Sequence, residues 1–271
     1  MLLKNKTIIV TGGGGGLGRE LVLNLLRREN NVIAFDISET ALQKTKELAK
    51  DKQKSLSTKV VDITNFELIH GMVDDVIGIF GQVDAVINNA GIIQPFKKLN
   101  DLHYLEIKKV IDVNFWGSLF MTKAFLPHLL TRPEAHIINI SSMGGFLPVP
   151  GQAIYGAAKS AIKLMTESLN SELTNTNVRV TVVSPGAIFT NIKSNSGLEK
   201  EVNASDYDTV PKGVLLPSVA AEELLNKVER NKVRVFIGKD SKLMNFLYHI
   251  NPEFACKLIY KSMKNKIETT M

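Results

Sequence analysis

The stretch Thr7-Ile8-Ile9-Val10-Thr11-Gly12-Gly13-Gly14-Gly15-Gly16-Leu17-Gly18 decides the fold of this chain. It begins with a short apolar run, which is typical of a strand buried on both faces. Glycines follow directly, and an amphipathic helical pattern then covers residues 17–28. Glycines allow a tight turn and the close approach of a pyrophosphate, and a helix N-terminus offers free N–H groups. The stretch therefore predicts a phosphate-binding turn between strand and helix, with a glycine turn that binds nothing as the alternative.

The same alternation of short apolar runs and longer amphipathic runs continues along the chain. Strands alternating with helices of ten or more residues form a parallel sheet covered on both faces. We therefore predict a doubly wound, Rossmann-type α/β fold of three αβα layers, in a single catalytic domain of residues 1–240. The seven strands are expected at residues 7–10, 32–35, 60–61, 83–87, 137–140, 178–183 and 233–237, and helices at about 17–28, 39–50, 66–80, 102–130 and 154–174.

The positive charge of the chain is concentrated near its C-terminus. The 271 residues have a formal net charge of +6, but residues 227–266 alone contain ten bases and three acids. Apolar residues recur at helical spacing within 241–266, so residues 241–271 are predicted to form a basic amphipathic helical extension. Such an extension either docks on the protein, over a pocket or a partner subunit, or lies on an anionic membrane surface. No nucleic-acid motif accompanies the charge, so nucleic acid is not an expected partner.

The sequence favours a cytoplasmic location, peripheral to a membrane if the extension contacts one. One cysteine, Cys256, cannot form an internal disulfide and fits a reducing compartment, with its thiol expected to be buried. No run of about 18 apolar residues is present, and the N-terminus lacks the pattern of a signal peptide. No metal site is predicted.

Two aspartates follow predicted strands. Asp36 ends the second strand, where a carboxylate can accept hydrogen bonds from an adenosine ribose and would repel a 2′-phosphate. Neither Gly15 nor Ile37 is basic, so NAD is predicted over NADP. Asp62 follows the third strand and, with Ile63, is a candidate for the adenine edge. Acids that only cap a helix or end a strand are the alternative.

A tyrosine and a lysine lie one helical turn apart in the second half of the chain. Tyr155 and Lys159 fall on one face of a predicted helix, and Ser142 follows the fifth strand. A phenol with a pKa near ~10 is a poor base at neutral pH, but a cation about 4 Å away lowers that pKa by roughly a few units. Tyr155 is therefore a candidate general acid/base for an alcohol or a ketone. Ser142 would hydrogen-bond the substrate oxygen, and Lys159 would also hold a nicotinamide ribose.

Together these motifs resemble the single-domain short-chain dehydrogenases/reductases over residues 4–240. The resemblance implies a catalytic tetrad of Asn114, Ser142, Tyr155 and Lys159, in which Asn114 holds a proton-relay water through its helix backbone. It also implies a homodimer or homotetramer that pairs through the helices at 102–130 and 154–174, where Trp116, Phe120 and Phe125 suit core or interface. The matching motifs are Thr11-Gly12-x-x-x-Gly16-x-Gly18, Asp62, Asn88-Asn89-Ala90-Gly91, Asn114, Ser142, Tyr155-x-x-x-Lys159 and Pro185-Gly186 with Thr190.

The resemblance also implies a groove for the cofactor, with Asn88, Ala90 and Gly91 as its wall on the adenosine side. Pro185, Gly186, Ile188 and Thr190 would contact the nicotinamide carboxamide. The predicted cofactor-binding residues are Gly12, Gly15, Gly16, Leu17, Gly18, Asp36, Asp62, Ile63, Asn89, Ala90, Gly91, Tyr155, Lys159, Pro185, Gly186, Ile188 and Thr190.

The residues that follow the catalytic strands are mostly apolar, which favours a lipophilic substrate. The predicted function is an NAD(P)-dependent oxidoreductase that interconverts a secondary alcohol and a ketone. A catalytically silent NAD-binding scaffold or sensor, and an enzyme similar to sugar-nucleotide epimerases, are the alternatives. The irregular stretch 188–217 is expected to be a substrate loop. The predicted substrate residues are Ser142, Met143, Phe146, Tyr155 and Phe189, and further pocket candidates are Ile93, Gln94, Phe96, Leu147 and Val149.

Overall fold

Among the residues that the structure describes, seven strands, numbered in chain order, form one parallel sheet in the order β3-β2-β1-β4-β5-β6-β7. The computed structural model describes residues 1–190, 192, 196–198 and 210–268, with side chains described as far as residue 263. Much of the predicted substrate loop, residues 191, 193–195 and 199–209, therefore lies outside the described residues. The strands are β1 (Thr7–Thr11), β2 (Asn31–Asp36), β3 (Leu56–Val60), β4 (Ala85–Asn88), β5 (Ala135–Ile140), β6 (Val178–Pro185) and β7 (Arg234–Ile237).

Helices cover both faces of this sheet, which explains why its strands are continuously apolar. Ile8 of β1 belongs to a core cluster on one face, together with Leu25 and Leu225 of the helices above it. Its neighbour Ile9 belongs to the cluster on the other face, together with Phe125. Successive side chains of a strand point to opposite faces, so both sets are buried. The predicted doubly wound fold of three αβα layers is confirmed.

Most helices begin and end within a few residues of the predicted positions, but two of them are interrupted. The predicted helix 66–80 is two helices that meet at Met72, and the predicted helix 102–130 contains a wider π-helical segment at Asp112–Gly117. The helices are α1 (Gly16–Arg27), α2 (Glu39–Leu48), α3 (Phe66–Gly71), α4 (Val73–Phe80), α5 (Tyr104–Ile111), α6 (Ser118–Leu130), α7 (Ala153–Glu172), α8 (Pro217–Val228), α9 (Lys239–Ile250) and α10 (Pro252–Glu268).

The third strand begins earlier than predicted. It was expected at residues 60–61, whereas β3 covers Leu56–Val60 and pairs with β2 alone. An edge strand is only partly buried and tolerates polar side chains such as Thr58 and Lys59. Such an edge strand therefore need not contain an apolar run, and its position cannot be read from one.

The C-terminal extension forms two helices, α9 and α10, and one side of them docks on the protein. Met244 and Ala255 are buried against Leu147, which follows the end of β5. The expectation of a buried thiol at Cys256 is wrong: the residue is half-buried, since the helix turns it away from the face that carries Ala255. In the described part of the chain, no helix combines the length and the hydropathy needed to cross a bilayer.

Candidate active site

The predicted site residues converge at the carboxyl edge of the sheet. β1, β4, β5 and β6 are neighbours and run in parallel, so the segments that follow them open onto the same crevice. In open parallel sheets, ligands bind in this crevice, where the strand order reverses.

The glycine turn between β1 and α1 is built on close backbone packing. A Cβ atom at Gly18 would lie 2.6 Å from Asn89 Nδ2 and closer still to the carbonyl oxygen of Gly12. Gly16 has a φ of +49°, a left-handed conformation that favours glycine, and its Cβ position would lie 3.2 Å from Thr190 Cβ. No side chain caps the first turn of α1 in the described residues, so its N–H groups face the crevice without a side-chain acceptor. The turn and the segment after β6 therefore lie next to each other at this edge of the sheet.

Asp36 is oriented by the backbone around it. One carboxylate oxygen accepts a hydrogen bond from Gly14 N at 2.9 Å, and the other accepts one from Ser38 N at 3.0 Å. A Cβ atom at Gly14 would lie 2.8 Å from this carboxylate, so a larger residue at position 14 would displace it. The carboxylate remains half-buried at the end of β2, where a ribose is expected.

Arg19 is a base near this turn that is not among the predicted site residues. Its guanidinium donates hydrogen bonds to the carbonyl oxygens of Gly14 and Ala41 and to Thr45 Oγ1. These acceptors hold the cation between the glycine turn and the first turn of α2. A basic residue in the first turn of the helix that follows a glycine motif is the sequence signal from which Arg19 could have been predicted.

Asp62 lies beside a cavity next to the predicted adenine position. One oxygen accepts hydrogen bonds from the backbone N and the hydroxyl of Thr64, at 2.9 and 2.7 Å. The cavity has a volume of about 270 Å³, and Ile37, Asp62 and Thr64 line one side of it. The side chain of Ile63 is buried against Gly117 instead, so only its backbone is available to a ligand.

Asn88 is a correction to the expected adenosine-side wall. It is buried, and its Nδ2 donates to Asn139 Oδ1 at 2.7 Å and to Thr122 Oγ1 at 3.0 Å. Successive side chains of a strand point to opposite faces of the sheet, and the side chain of Asn88 points into the core. The next residues face the crevice: Thr11 Oγ1 accepts hydrogen bonds from the backbone N of Asn89 and of Ala90, at 3.0 Å each.

The four residues of the predicted tetrad come together around the end of β5. Lys159 is buried, and its Nζ donates to the carbonyl oxygen of Ile140 at 2.9 Å. A Cβ atom at Gly91 would lie 2.7 Å from Asn114 Oδ1 and 3.2 Å from Lys159 Nζ, which places these two groups around the same glycine. A Cβ atom at Gly144 would lie 3.5 Å from Tyr155 Cε1 and 3.6 Å from Ser142 Oγ, so these two side chains flank Gly144.

Asn114 lies in the π-helical segment that interrupts the long helix. Its carboxamide pairs with both backbone groups of Ile92: Oδ1 accepts from Ile92 N at 3.1 Å, and Nδ2 donates to Ile92 O at 2.8 Å. A π-helical turn contains an extra residue and frequently marks a functional site. Asn114 is therefore fixed by the loop that follows β4.

The electrostatics of Tyr155 differ from the sequence-based expectation. Burial raises the pKa of the Tyr155 phenol, and the hydrogen bond from Ser142 opposes this shift. The expected lowering by Lys159 is wrong for this structure, because the ammonium points to Ile140 and lies 6.0 Å from the centroid of the tyrosine ring. Burial also lowers the pKa of Lys159, to about 8.

Two of the expected pocket residues are structural. Leu147 is fully buried under the C-terminal helices, and Gln94 is buried against the start of α7. Phe146 lies beside β7 and the extension, with its ring centroid 5.9 Å from Phe236 and 6.4 Å from Tyr248. Met143 and Phe146 are the predicted substrate residues that pack against the extension, so α9 helps to shape this side of the site. The backbone N of Phe189 donates to Leu215 O at 2.8 Å, beside the segment expected to contact nicotinamide.

The fold and this cluster define a dinucleotide-binding oxidoreductase of the Rossmann type. The short chain dehydrogenase family matches residues 6–201 of the chain. The chain is 34% identical over 253 residues to SadH of Mycobacterium tuberculosis, covering 91% of each protein. It is 30% identical over 261 residues to the dehydrogenase/reductase SDR family protein 7-like of Drosophila melanogaster, covering 92% of this chain and 78% of that protein. This protein therefore belongs to the short-chain dehydrogenase/reductase family.

Solved structures agree with this assignment. A short chain dehydrogenase/reductase from Burkholderia phymatum, in complex with NAD, is similar with a TM-score of 0.83 and 23% identity, over 94% of this chain and 96% of that one. A short chain dehydrogenase from Burkholderia cenocepacia, in complex with NADP, gives a TM-score of 0.78 and 26% identity, over 96% and 99% of the two chains. Each of these two solved structures holds a nicotinamide dinucleotide.

Proposed function

We propose that this protein is an NAD-preferring dehydrogenase/reductase that interconverts a secondary alcohol and a ketone. One observation carries the proposal: the hydroxyl of Ser142 and the ring of Tyr155 lie beside the same glycine, Gly144, next to the buried ammonium of Lys159. A hydroxyl and a phenol placed side by side form a pair that can bind one substrate oxygen and exchange a proton with it. This pair lies at the sheet edge that also carries the glycine turn.

The residues present fit a nicotinamide dinucleotide. The uncapped first turn of α1 suits a pyrophosphate, and the backbone-oriented carboxylate of Asp36 suits a ribose diol. The cavity beside Asp62 suits the adenine ring. When bound, this cofactor supplies the hydride acceptor or donor of the reaction.

The residues of the chain supply the proton and hold the substrate. Tyr155 acts as general acid toward a ketone oxygen and as general base toward an alcohol, through its phenolic oxygen. Ser142 donates a hydrogen bond to the same substrate oxygen and keeps it within reach of the phenol. Lys159 holds the nicotinamide ribose, and Asn114 supports a proton relay through its helix backbone.

A substrate panel assayed with NAD and NADP side by side tests the proposed function. Secondary alcohols and ketones from small polar to long-chain compounds would be mixed with each cofactor, and the absorbance of reduced nicotinamide recorded. The apolar side chains of Met143 and Phe146 support a lipophilic substrate, so turnover is expected to rise with chain length. Activity confined to small polar compounds would contradict the substrate class, and turnover of none of them would contradict the reaction.

Asp36→Ala is expected to weaken the binding of NAD and to strengthen the binding of NADP. Loss of the carboxylate removes the hydrogen bonds to the ribose and the repulsion of a 2′-phosphate, while Arg19 remains beside the turn. The KM for NAD should rise by about tenfold, since a hydrogen bond to a charged group is worth roughly 1.5–3 kcal/mol. Steady-state kinetics with both cofactors measures the change. Glu39→Ala, which removes an exposed acid three residues later, is the matched control and should leave both KM values unchanged.

We also propose a homodimer or homotetramer that pairs through α5, the π-helical segment and α7. Large apolar side chains are exposed on these elements at Tyr104, Leu105, Trp116 and Leu164, whereas Phe125 belongs to the core. Exposed apolar patches of this kind support a protein interface. Light scattering of the purified protein measures the mass of the assembly, and a monomeric mass would contradict the proposal.

We propose further that the protein works in the cytoplasm and contacts membrane surfaces through the outer side of α9 and α10. The single cysteine supports a reducing compartment. On the outer side, Phe246 is 61% exposed and Ile250 is 67% exposed, and exposed Lys257 and Lys261 follow on α10. Lysines beside an apolar stripe suit an anionic lipid surface. A second copy of the chain suits this face less well, because the lysines of the two copies would repel each other.

The double variant Phe246→Glu, Phe254→Glu is expected to release the protein from anionic vesicles. Vesicles of phosphatidylcholine with and without phosphatidylserine would be sedimented with the protein. Two added carboxylates oppose both the apolar insertion and the charge attraction, so the bound fraction should fall by about tenfold or more. Leu48→Glu, an exposed leucine on α2, is the matched control and should bind like the original protein. Equal binding by both variants, or none by the original protein, would contradict the proposed contact.

A further inference from the structure

Gln94 connects the loop after β4 to the first turn of α7. Its side chain is 1% exposed, and its Oε1 accepts hydrogen bonds from the backbone N of Ile154 at 2.8 Å and of Tyr155 at 2.9 Å. Its Nε2 donates to the carbonyl oxygen of Gly151 at 2.9 Å. All the polar atoms of this side chain therefore bind the short segment that leads into Tyr155.

This arrangement replaces the usual local cap of a helix. The first N–H groups of a helix lack acceptors within the helix, and a Ser, Thr, Asp or Asn at the N-cap normally supplies one. The N-cap residue of α7 is Gln152, and its side chain makes no capping hydrogen bond. Gln94 supplies the acceptor instead, from the loop that follows β4.

The anchor acts on Tyr155 more directly than on Lys159. Lys159 lies one turn further along α7, and its Nζ has a separate anchor at the carbonyl oxygen of Ile140. The ring of Tyr155 lies beside Ser142 at Gly144, and the backbone N–H of Tyr155 is held by Gln94. A shift of the first turn of α7 would therefore move the phenol relative to Ser142 while Lys159 stays in place.

We infer that Gln94 is a positioning residue, which sets the phenol of Tyr155 against Ser142 by capping α7 from the loop after β4. The inference rests on the proposed function, because it assigns the proton transfer to Tyr155. Misplacement of a reacting group by about 1 Å costs roughly a hundredfold in rate, so a fixed first turn has a direct consequence for catalysis.

Three variants test the inference. Gln94→Met keeps the length of the side chain and removes the two hydrogen bonds that Oε1 accepts from Ile154 and Tyr155. The value of kcat is expected to fall by about tenfold or more. Gln94→Glu keeps an acceptor for Ile154 and Tyr155 and is expected to restore most of kcat. Gln152→Met removes a donor to the carbonyl oxygen of Gln94, a bond of 3.0 Å in the same turn, and is expected to change kcat by less than about threefold.

Two further measurements separate positioning from a general loss of structure. NAD affinity should stay unchanged in all three variants, since Lys159 and the glycine turn keep their own anchors. Tyrosinate absorbance titrations, each taken as the difference from the same protein carrying Tyr155→Phe, report the phenol without turnover. Burial raises the pKa of this phenol more than Ser142 lowers it, so a first turn loosened toward solvent in Gln94→Met should lower that pKa, and Gln94→Glu should not.

The outcomes are distinct. A loss of kcat in Gln94→Met with unchanged NAD affinity, a lower phenol pKa and recovery in Gln94→Glu supports the inference. Unchanged kcat in Gln94→Met, or equal losses of kcat and NAD affinity in both Gln94 variants, overturns it. If Gln94→Met does not fold, Gln94→Asn, whose carboxamide is one methylene too short, takes its place. If the original protein turns over no substrate, the proposed function fails, and the tyrosinate titration still decides whether Gln94 positions the phenol.

Discussion

Tyr155→Phe is expected to lower kcat by about 10²–10⁴-fold, the usual contribution of a general acid or base. The substitution removes one oxygen atom and leaves the ring in its half-buried position beside Ser142 and Lys159. The groups that would hold the cofactor, at the glycine turn and Asp36, do not contact this oxygen. NAD affinity, measured by titration, should therefore change by less than about threefold while turnover is lost, since only a transition-state interaction has been removed.

Tyr104→Phe is the control for this experiment. Tyr104 begins α5 and is 88% exposed, and loss of its hydroxyl should leave kcat unchanged. Near-original turnover in Tyr155→Phe would contradict the proposed acid/base. A protein that binds NAD but turns over no compound of the panel would instead favour the silent scaffold.

Much of the fold was predictable because its signals are local. The apolar run of β1 and the glycines after it lie within a dozen residues, and burial on both faces leaves little choice of side chain. The edge strand β3 was placed too late in the chain, because a half-buried strand accepts Ser, Thr and Lys. Local patterns therefore identify central strands better than edge strands.

The candidate site was predictable in its members but not in their contacts. Tyr155 and Lys159 were found from their spacing, yet the direction of the ammonium depends on Ile140, which belongs to a strand. The role of Gln94 depends on a pairing with residues about 60 positions away. No spacing rule gives such a pairing, because it arises only when the loop after β4 and the start of α7 are packed side by side.

The C-terminal extension shows a similar limit. Its apolar stripe predicted helices, but neighbouring residues on that stripe have different surroundings: Leu247 packs on the protein, and Phe246 is exposed. An amphipathic pattern gives the width of an apolar face and not the surface that covers it. Docking on the protein and contact with a membrane are thus compatible, because they use different sides of the same helices.

Gly18→Ala is expected to destabilise the protein and to weaken binding of the cofactor strongly. The added methyl group would lie 2.6 Å from Asn89 Nδ2 and closer to the carbonyl oxygen of Gly12, so α1 and the turn must move apart. Both neighbours are constrained, since Asn89 Nδ2 donates to Thr11 O at 3.0 Å and Gly12 belongs to the turn itself. Overpacking of this kind costs about 1–3 kcal/mol, and occasionally more, in the free energy of unfolding. NAD affinity should fall by about a hundredfold, because the first turn of α1 no longer faces the crevice in the same geometry.

Gly78→Ala provides the matched control, because it makes the same chemical change where space is open. Gly78 lies inside α4, is exposed, and has nothing within 4 Å of its Cβ position. Alanine at a helix interior is favoured over glycine by about 0.5–1 kcal/mol, so this variant should be slightly more stable and bind NAD as before. Urea denaturation and NAD titration of both variants measure the two effects. Equal stability and equal affinity in the two variants would show that the close approach at Gly18 does not limit the turn, and the assignment of the turn to the pyrophosphate would lose its structural basis.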